Sequence, residues 1–466
     1  MMRTEDIRLH YGDRVLAGFI PQEWIDRGRY LPLELSPRSP AIDDPAGALA
    51  SALENPLGAS PPFGALVRRG RKNGRIAILV DDYTRPNVHT RLLLPLLLDL
   101  LKSRYGVGPE QVLAVVCTGT HRLHTGAELK KVVGEEILRR IEIVSHECEK
   151  NLAPAGEADG RPIRICRAAG EADLIIALTD IDNHYFAGVA GGPKSFCPGI
   201  CDRETITAEH LRMFSDTGFA DRVALGVLDG NPVYESKKRI VSAIIDSLRE
   251  RGRAVYCLAS IIDAGGALVH LAGGEIFAVH RAAAEKLDSV WTVSLPERPG
   301  AVIAGAGSLG INLYQAGKAV HAAFTAVRPG GLILAAAPCP DRFGNEEYRR
   351  LMALAVEEMK RHPDPGEGLR AAKLKVLEIV RGDFKIGKQK AVDVFRILEH
   401  VGPGRVHLIE DGLTPEDKSA LPFHFFGEPG TPPEGRLKHW VLRYAAETTI
   451  AVIDNPGFLI RIRPEV

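Results

Sequence analysis

Ile76-Ala77-Ile78-Leu79-Val80-Asp81-Asp82-Tyr83-Thr84-Arg85-Pro86 is five aliphatic residues running straight into a polar turn. The apolar run is too short for a helix and reads as a strand; Pro86 and the acidic pair end it. Outward from it the pattern repeats. Val112–Cys117, Ile141–Val144, Leu174–Leu178, Ala254–Ala259, Ala301–Ala304, Leu332–Ala336 and Arg405–Ile409 read as further strands. Between them Thr90–Ser103, Ala127–Arg139, Tyr234–Arg251, Leu313–Ala326 and Glu346–Arg361 read as helices. This alternation predicts an α/β protein with mainly parallel sheets covered by helices. In such sheets ligands gather beyond the carboxyl ends of the strands.

The chain has 466 residues, and a prior of roughly 150 residues per domain gives two or three domains; two are expected. The cut is placed near Gly265–Glu275, where Gly265-Gly266 and Gly273-Gly274 bracket a short apolar piece, giving domains 1–270 and 271–466. Pro37–Gly74, rich in Pro, Ser and Gly, reads as a surface-wrapping connection. Lys+Arg equals Asp+Glu at 59 each, so no global field draws in a phosphate backbone, and no basic run carries interleaved aromatics; nucleic acid is not an expected partner. Met1 to Asp6 leads into polar sequence without an apolar h-region, so no secretory signal is expected and the cytoplasm is the expected location. The most apolar run, Leu92–Leu101, is broken by Pro95 and Asp99 and is far below the roughly 20 residues of a membrane span. It reads as a buried helix. Seven scattered cysteines, an odd number, suit free thiols in a reducing compartment.

Four polar clusters follow predicted strands. In the first, Asp82 is a candidate hydroxyl acceptor and Arg85 a planar fork for a carboxylate; a solvated turn in which Asp82 pairs with Arg85 is the alternative. The second, Thr118-Gly119-Thr120-His121-Arg122, offers an imidazole that both takes and gives a proton near neutrality, or a satisfied polar histidine, with His124 close by. The third is the longest: His184-Tyr185-Phe186-Ala187-Gly188-Val189-Ala190-Gly191-Gly192-Pro193-Lys194-Ser195, continuing to Glu209-His210. Its glycines allow close backbone approach to a ligand and its lysine is a point charge or a nucleophile, although the spacing is not that of a Walker loop. Cys197 and Cys201 are read as packing thiols in preference to a soft-metal site with His210. The fourth, Gly305-Ala306-Gly307-Ser308-Leu309-Gly310, has the dinucleotide-binding spacing, but no Asp or Glu occurs from Ile311 to Pro340 to hold a ribose. The glycines are taken as a tight turn presenting Tyr314, Gln315 and Lys318.

Taken together, Asp-x-Thr-Arg-Pro at Asp82–Pro86, Gly-Thr-His-Arg at Gly119–Arg122, His-Tyr-Phe-Ala-Gly and Gly-Gly-x-Lys-Ser within His184–Ser195, and Tyr-Gln-Ala-x-Lys at Tyr314–Lys318 resemble the nickel-pincer-nucleotide lactate racemase family of 2-hydroxyacid racemases and epimerases. The match runs over most of the chain. The resemblance implies a pyridinium-3,5-bisthiocarboxylic acid mononucleotide nickel complex tethered to Lys194, with His210 as the protein's nickel ligand and Asp82, Thr84, Gly188, Gly191, Gly192 and Ser195 around the cofactor. It implies His121 and His184 as the acid/base pair and Arg85, Tyr314, Gln315 and Lys318 as substrate contacts, in a cleft between the two domains, with cofactor-maturation proteins as partners. In that chemistry a hydride leaves C2 for the cofactor's pyridinium carbon and returns to the other face of a 2-keto acid, which calls for a base on each side. Tyr83 inside the arginine loop, Cys197 and Cys201 beyond the lysine, and the greater length depart from lactate racemase itself; these bear on the substrate more than on the chemistry. Phe384–His400 resembles the family's second-domain helix, or is an ordinary charged helix start. The competing readings are an NAD(P)-dependent dehydrogenase using Gly305–Gly310 and a binding protein for the cofactor or for nickel.

Overall fold

The computed structural model describes residues 2–35, 39–69, 74–427 and 430–462. Its contacts divide the chain into two compact units, one formed by 37–213 and 220–291, the other by 1–36, 214–219 and 292–466.

The strand Ile76–Asp81 shows why the first unit folds as it does. Ile76, Ile78 and Val80 enter one hydrophobic core while Ala77 and Leu79 enter another. Successive side chains of a strand point to opposite faces, so a run apolar at every position is covered on both sides. Its sheet has six strands in the order Leu268–Gly274, Ala254–Ile262, Leu174–Asp180, Ile76–Asp81, Val112–Cys117, Glu142–Ser145; all pair in parallel except the first, an antiparallel edge. Helices Val88–Tyr105, Pro232–Glu250 and Ile276–Trp291 bury Leu94 and Leu97, Ile240 and Ile244, and Val279 and Leu287 in the two cores.

The second unit carries a five-stranded, wholly parallel sheet in the order His424–Phe425, Val406–Ile409, Leu332–Ala336, Ala301–Gly305, Ile450–Ile453. A three-stranded sheet, Leu459–Ile462, Thr292–Leu295 and Glu34–Leu35, belongs to the same unit. The strands expected from sequence are present within two residues at most ends, and the α/β class with mainly parallel sheets holds.

Three features differ from expectation. Pro37–Gly74 is not a strap: it holds the helices Pro45–Glu54 and Phe63–Arg69, and Leu49, Leu53 and Phe63 are buried. Asp44 caps the first of them by accepting from Gly47 N at 2.9 Å. Pro37, Arg38 and residues 70–73 lie outside the described residues. Ala127–Arg139 is two helices, Gly126–Val133 and Glu135–Arg140, because Gly134 between them adopts φ +88°. The apolar piece at 265–275 is the edge strand Leu268–Gly274, and with the helix after it this strand stays with 37–291, whereas residues 1–36 join 292–466. Among the described residues no helix is long and apolar enough to cross a membrane.

Candidate active site

The parallel register of Ile76–Asp81 with Val112–Cys117 sets Asp81 beside Cys117, so the turns that follow these strands emerge together. Across them His121 Nδ1 lies 2.5 Å from Asp82 Oδ2. The other carboxylate oxygen, Oδ1, accepts from the Thr84 hydroxyl at 2.6 Å and from Thr84 N at 3.2 Å. Asp82 is buried, which opposes ionisation, yet the His121 hydrogen bond and charge, Thr84 and the Arg85 charge outweigh that and hold its carboxyl at about 2. An ionised Asp82 fixes the His121 proton on Nδ1 and puts the lone pair on Nε2. Asp82 meets Thr84 through one oxygen and His121 through the other, with the Arg85 charge also acting on it. Nearby, His124 Nε2 accepts from Tyr83 N at 3.2 Å while its Nδ1 meets the Ser145 hydroxyl at 3.2 Å, and burial lowers its pKa. His124 is a neutral brace for the arginine loop.

The Lys194 loop is tied to the His121 turn: Gly119 N donates to Gly199 O at 3.0 Å and the Cys117 thiol to Ser195 O at 3.3 Å. Lys194 lies in a single 3-10 turn, Gly192–Ser195. Burial, then the charges of Arg85 and Lys237, bring its pKa down to about 7 against the opposing pull of Asp81 and Asp82. A large fraction of this amine is therefore neutral, and nucleophilic, at neutral pH. Asp180 is pushed well above the usual carboxylate range by burial and by the neighbouring Asp182 and Asp81, and its Oδ1 accepts from Ser260 Oγ at 3.1 Å.

The glycines of this loop serve the protein's own packing. A Cβ on Gly188 (φ +79°) would stand 2.0 Å from Val227 O, and one on Gly191 (φ +82°) 2.4 Å from Asp180 O. On Gly192 it would meet the His280 ring. The side on which each lacks a Cβ, expected to admit a ligand, is filled by backbone and by His280.

His184 and His210 are joined through one ring: Phe186 lies edge-on to both, with centroids 4.4 Å and 5.5 Å away. The His184 strand pairs with Gly188–Val189, and Ala187 N donates to His184 Nδ1 at 3.3 Å, which places the ring proton of a neutral His184 on Nε2. His210 ends the helix Arg203–His210, where Nδ1 faces Ile206 O at 3.0 Å and Glu209 Oε2 at 2.6 Å. The proton is thereby held on Nδ1 and the lone pair falls on Nε2, the arrangement in which a carboxylate or carbonyl orients a metal-binding imidazole. Glu209 is fully buried and remains ionised, its burial offset by His210 and by Lys237, whose Nζ is 3.5 Å from Oε1. Neither Glu209 nor Lys237 had an assigned role in the sequence reading. Lys237 stands in the apolar stripe Val233, Ile240, Ile244 of its helix, a position where lysine is out of pattern and a partner should have been sought.

Among the described residues no three His, Cys, Asp or Glu converge to hold a metal. Cys197 and Cys201 are wholly buried in the core, each the other's neighbour, and the Cys197 thiol is pushed up by that contact and by burial. They are packing thiols, and all seven cysteines are unbridged. An imidazole with a fixed Nε2 lone pair and an amine with a lowered pKa fit a group that brings its own ligands and takes one from the protein.

In the other unit Tyr314, Gln315 and Lys318 all lie in the first six residues of the helix Leu313–Ala326, with Asn312 as its cap. The Tyr314 hydroxyl accepts from Gln389 Nε2 at 3.3 Å, so Gln389, the first residue of the helix Gln389–Val401 in the expected Phe384–His400 region, supports it. The Gly305–Gly310 turn does join a strand to a helix, but a Cβ on Gly305 would be 2.7 Å from His10 O, and Gly307 bridges to Tyr11. The N-terminal strand Leu9–Tyr11 lies where a pyrophosphate would.

A family profile described as lactate racemase N-terminal domain matches residues 22–221. Lactate racemase of Thermoanaerobacterium thermosaccharolyticum is 32% identical over 303 residues, covering 64% of this chain and 67% of that protein. Lactate racemase of Lactiplantibacillus plantarum is 29% identical over 307 residues, 65% of this chain and 68% of that one. The solved lactate racemase apoprotein from T. thermosaccharolyticum superposes with a TM-score of 0.75 at 26% identity, covering 98% of this chain and 99% of that chain. A crystal structure of a Thermotoga maritima protein shares the fold, with a TM-score of 0.61 at 17% identity over 92% of this chain and all of that chain.

Proposed function

The chain belongs to the lactate racemase family, and from that premise we propose that it inverts C2 of a 2-hydroxy acid, with His121 and His184 moving the hydroxyl proton. The observation that carries this reading is the opposite state of the two rings. Asp82 fixes His121 with its lone pair on Nε2, ready to accept the hydroxyl proton, while the amide of Ala187 turns a neutral His184 with its N–H on Nε2, ready to hydrogen-bond the substrate oxygen; His184 returns a proton only as its imidazolium, with the Ala187 contact released. Inversion needs one neutral imidazole to take the proton and one imidazolium to return it on the other face.

Lys194 and His210 fit the attachment points of a nickel-pincer nucleotide: the first offers an amine with a pKa of about 7, the second an imidazole Nε2 oriented by Glu209 and Ile206. When bound, such a cofactor supplies the carbon that accepts and returns the C2 hydride. Asp82, Thr84 and Ser195 act around it by holding the His121 and Lys194 turns in place, and Gly188, Gly191 and Gly192 by letting those turns pack. Arg85 engages the substrate carboxylate and keeps it oriented between the two hydride steps, with Tyr314, Gln315 and Lys318 as further substrate contacts. Maturation proteins are the partners that would load the cofactor.

The test is production of the chain in cells that make the cofactor, followed by mass spectrometry of the Lys194 peptide and chiral analysis of lactate and longer 2-hydroxy acids. The expected result is an adduct on Lys194, about one nickel per chain, and loss of optical purity in at least one acid. An unmodified Lys194 from such cells sinks the cofactor assignment; an adduct without isomerisation of any acid favours a binding protein.

A further inference from the structure

The arginine loop borders a hollow of about 410 Å³ lined by Tyr83, Arg85, Pro86, Asn87, Arg91 and Lys131. Three of its six residues are cationic and none is acidic. Among the described residues the Arg85 guanidinium has no hydrogen bond or ion pair, and Lys131 is exposed with its ammonium in neither kind of contact. Arg91 is fixed on the rim by donating to Pro86 O at 3.0 Å and to Lys131 O at 2.7 Å. Tyr83 makes a rigid wall: its ring is edge-on to His124 at 5.2 Å and carries Arg122 over its face at 4.9 Å. Two nearby arginines of this unit do meet carboxylates, Arg122 with Glu128 and Arg140 with Asp99. Cations lining one concavity with no carboxylate among its walls make a field that draws in and holds an anion.

We propose that this hollow is a second-anion subsite, and that the substrate is a 2-hydroxy acid carrying another anionic group, a hydroxy-dicarboxylate, in preference to lactate. The inference rests on the racemase reading, because Arg85 is common to both: it is the C1-carboxylate clamp there and one wall of the hollow here. Arg91 and Lys131 then meet the distal carboxylate, and Tyr83, the residue by which this loop departs from the lactate enzymes, closes the side of the pocket between them.

The cofactor-loaded chain is assayed for kcat/KM on a four-carbon 2-hydroxy-dicarboxylate and on lactate, as the natural sequence and as Lys131→Ala and Arg91→Ala. The ratio should favour the dicarboxylate, and each substitution should lower it about fivefold at low ionic strength, with a smaller change in high salt. A ratio that neither substitution moves overturns the proposal. Lys131 is exposed, so its variant tests the charge without testing the fold.

Calorimetry on cofactor-free protein separates the sources of the anion, with succinate, orthophosphate and nicotinic acid mononucleotide as probes. Succinate binding that Lys131→Glu abolishes supports a distal-carboxylate site. Binding of orthophosphate or the mononucleotide alone, lost in the same variant, assigns the hollow to a cofactor phosphate and overturns the proposal. If succinate binds through Lys131 while the loaded chain isomerises no acid, the subsite stands and the racemase reading falls.

Discussion

Asp82 and His121 are 39 positions apart, and nothing local in either motif links them. Each was legible as a candidate residue, but their partnership follows from the register of two strands, Asp81 against Cys117, which a single sequence does not declare. Asp82→Asn should preserve the fold and lower kcat/KM about 100-fold, the lower end of what positioned acid/base catalysis contributes, because the amide no longer holds His121 in its accepting tautomer. Steady-state chiral assays check this. The same pair gives a pH dependence. The Asp82 pKa is depressed in the folded state, so its stabilising contribution is complete above the unfolded value of about 3.9 and is lost as pH falls toward 2. Acid unfolding followed by circular dichroism should therefore be shallower for Asp82→Asn than for the natural chain across that window. Lys194 makes the third residue-scale prediction. Its acylation by a small amine-reactive ester, in cofactor-free protein, should rise with pH through a midpoint of about 7, whereas exposed lysines rise toward 10.4. Peptide mapping by mass spectrometry gives the rates.

Among elements, the parallel strands were plain from sequence because burial on both faces makes every position apolar, and their helices because one stripe repeats at helical spacing. The hairpin Leu152–Ala158 with Arg161–Cys166 was missed. It carries Pro154, Glu157, Arg161 and Arg164 on exposed or partly exposed positions, leaving too few apolar residues to stand out. The strand Leu268–Gly274 was mistaken for a boundary because its glycines look like linker. They pack instead: a Cβ on Gly273 would fall 2.4 Å from Ala52 O, and one on Gly274 2.3 Å from Leu57 O. The loop that bears His184 is fastened to a helix end by Asn231, whose side chain accepts from Val233 N and Tyr234 N and donates to Phe186 O at 2.9 Å. Asn231→Ala should cost about 1 kcal/mol or more in denaturant unfolding, since it removes a cap and leaves the buried Phe186 carbonyl unmatched. Gly188→Ala should destabilise by about 1–3 kcal/mol for its backbone conformation alone, and by more because Val227 must move.

For the whole molecule, two units and their α/β class were readable from alternation and length, but the segments assigned to each were not. Residues 1–36 pair with the far end of the chain, as when Leu31 N donates to Ile450 O at 2.8 Å and His10 N to Asp454 Oδ1 at 2.5 Å. Local patterning carries no trace of a partner 444 positions away. The same N-terminal strand leaves no room for a dinucleotide at Gly305–Gly310, so NAD(P)H added to the protein should show no fluorescence enhancement. It also sets an order of events on the ribosome. Residues 37–291 contain, apart from 214–219, one whole unit, so the strands and turns that carry His121, Lys194 and His210 are complete before residues 292–462 are made. His10 and Leu31 must wait for Asp454 and Ile450, in the first case 444 positions on, before they find their partners. Closing so long a loop is slow, and until it closes an unpaired edge is exposed. Removing the strand Ile450–Ile453 should therefore leave Leu31 and its segment without their partner and raise aggregation on refolding, read by light scattering.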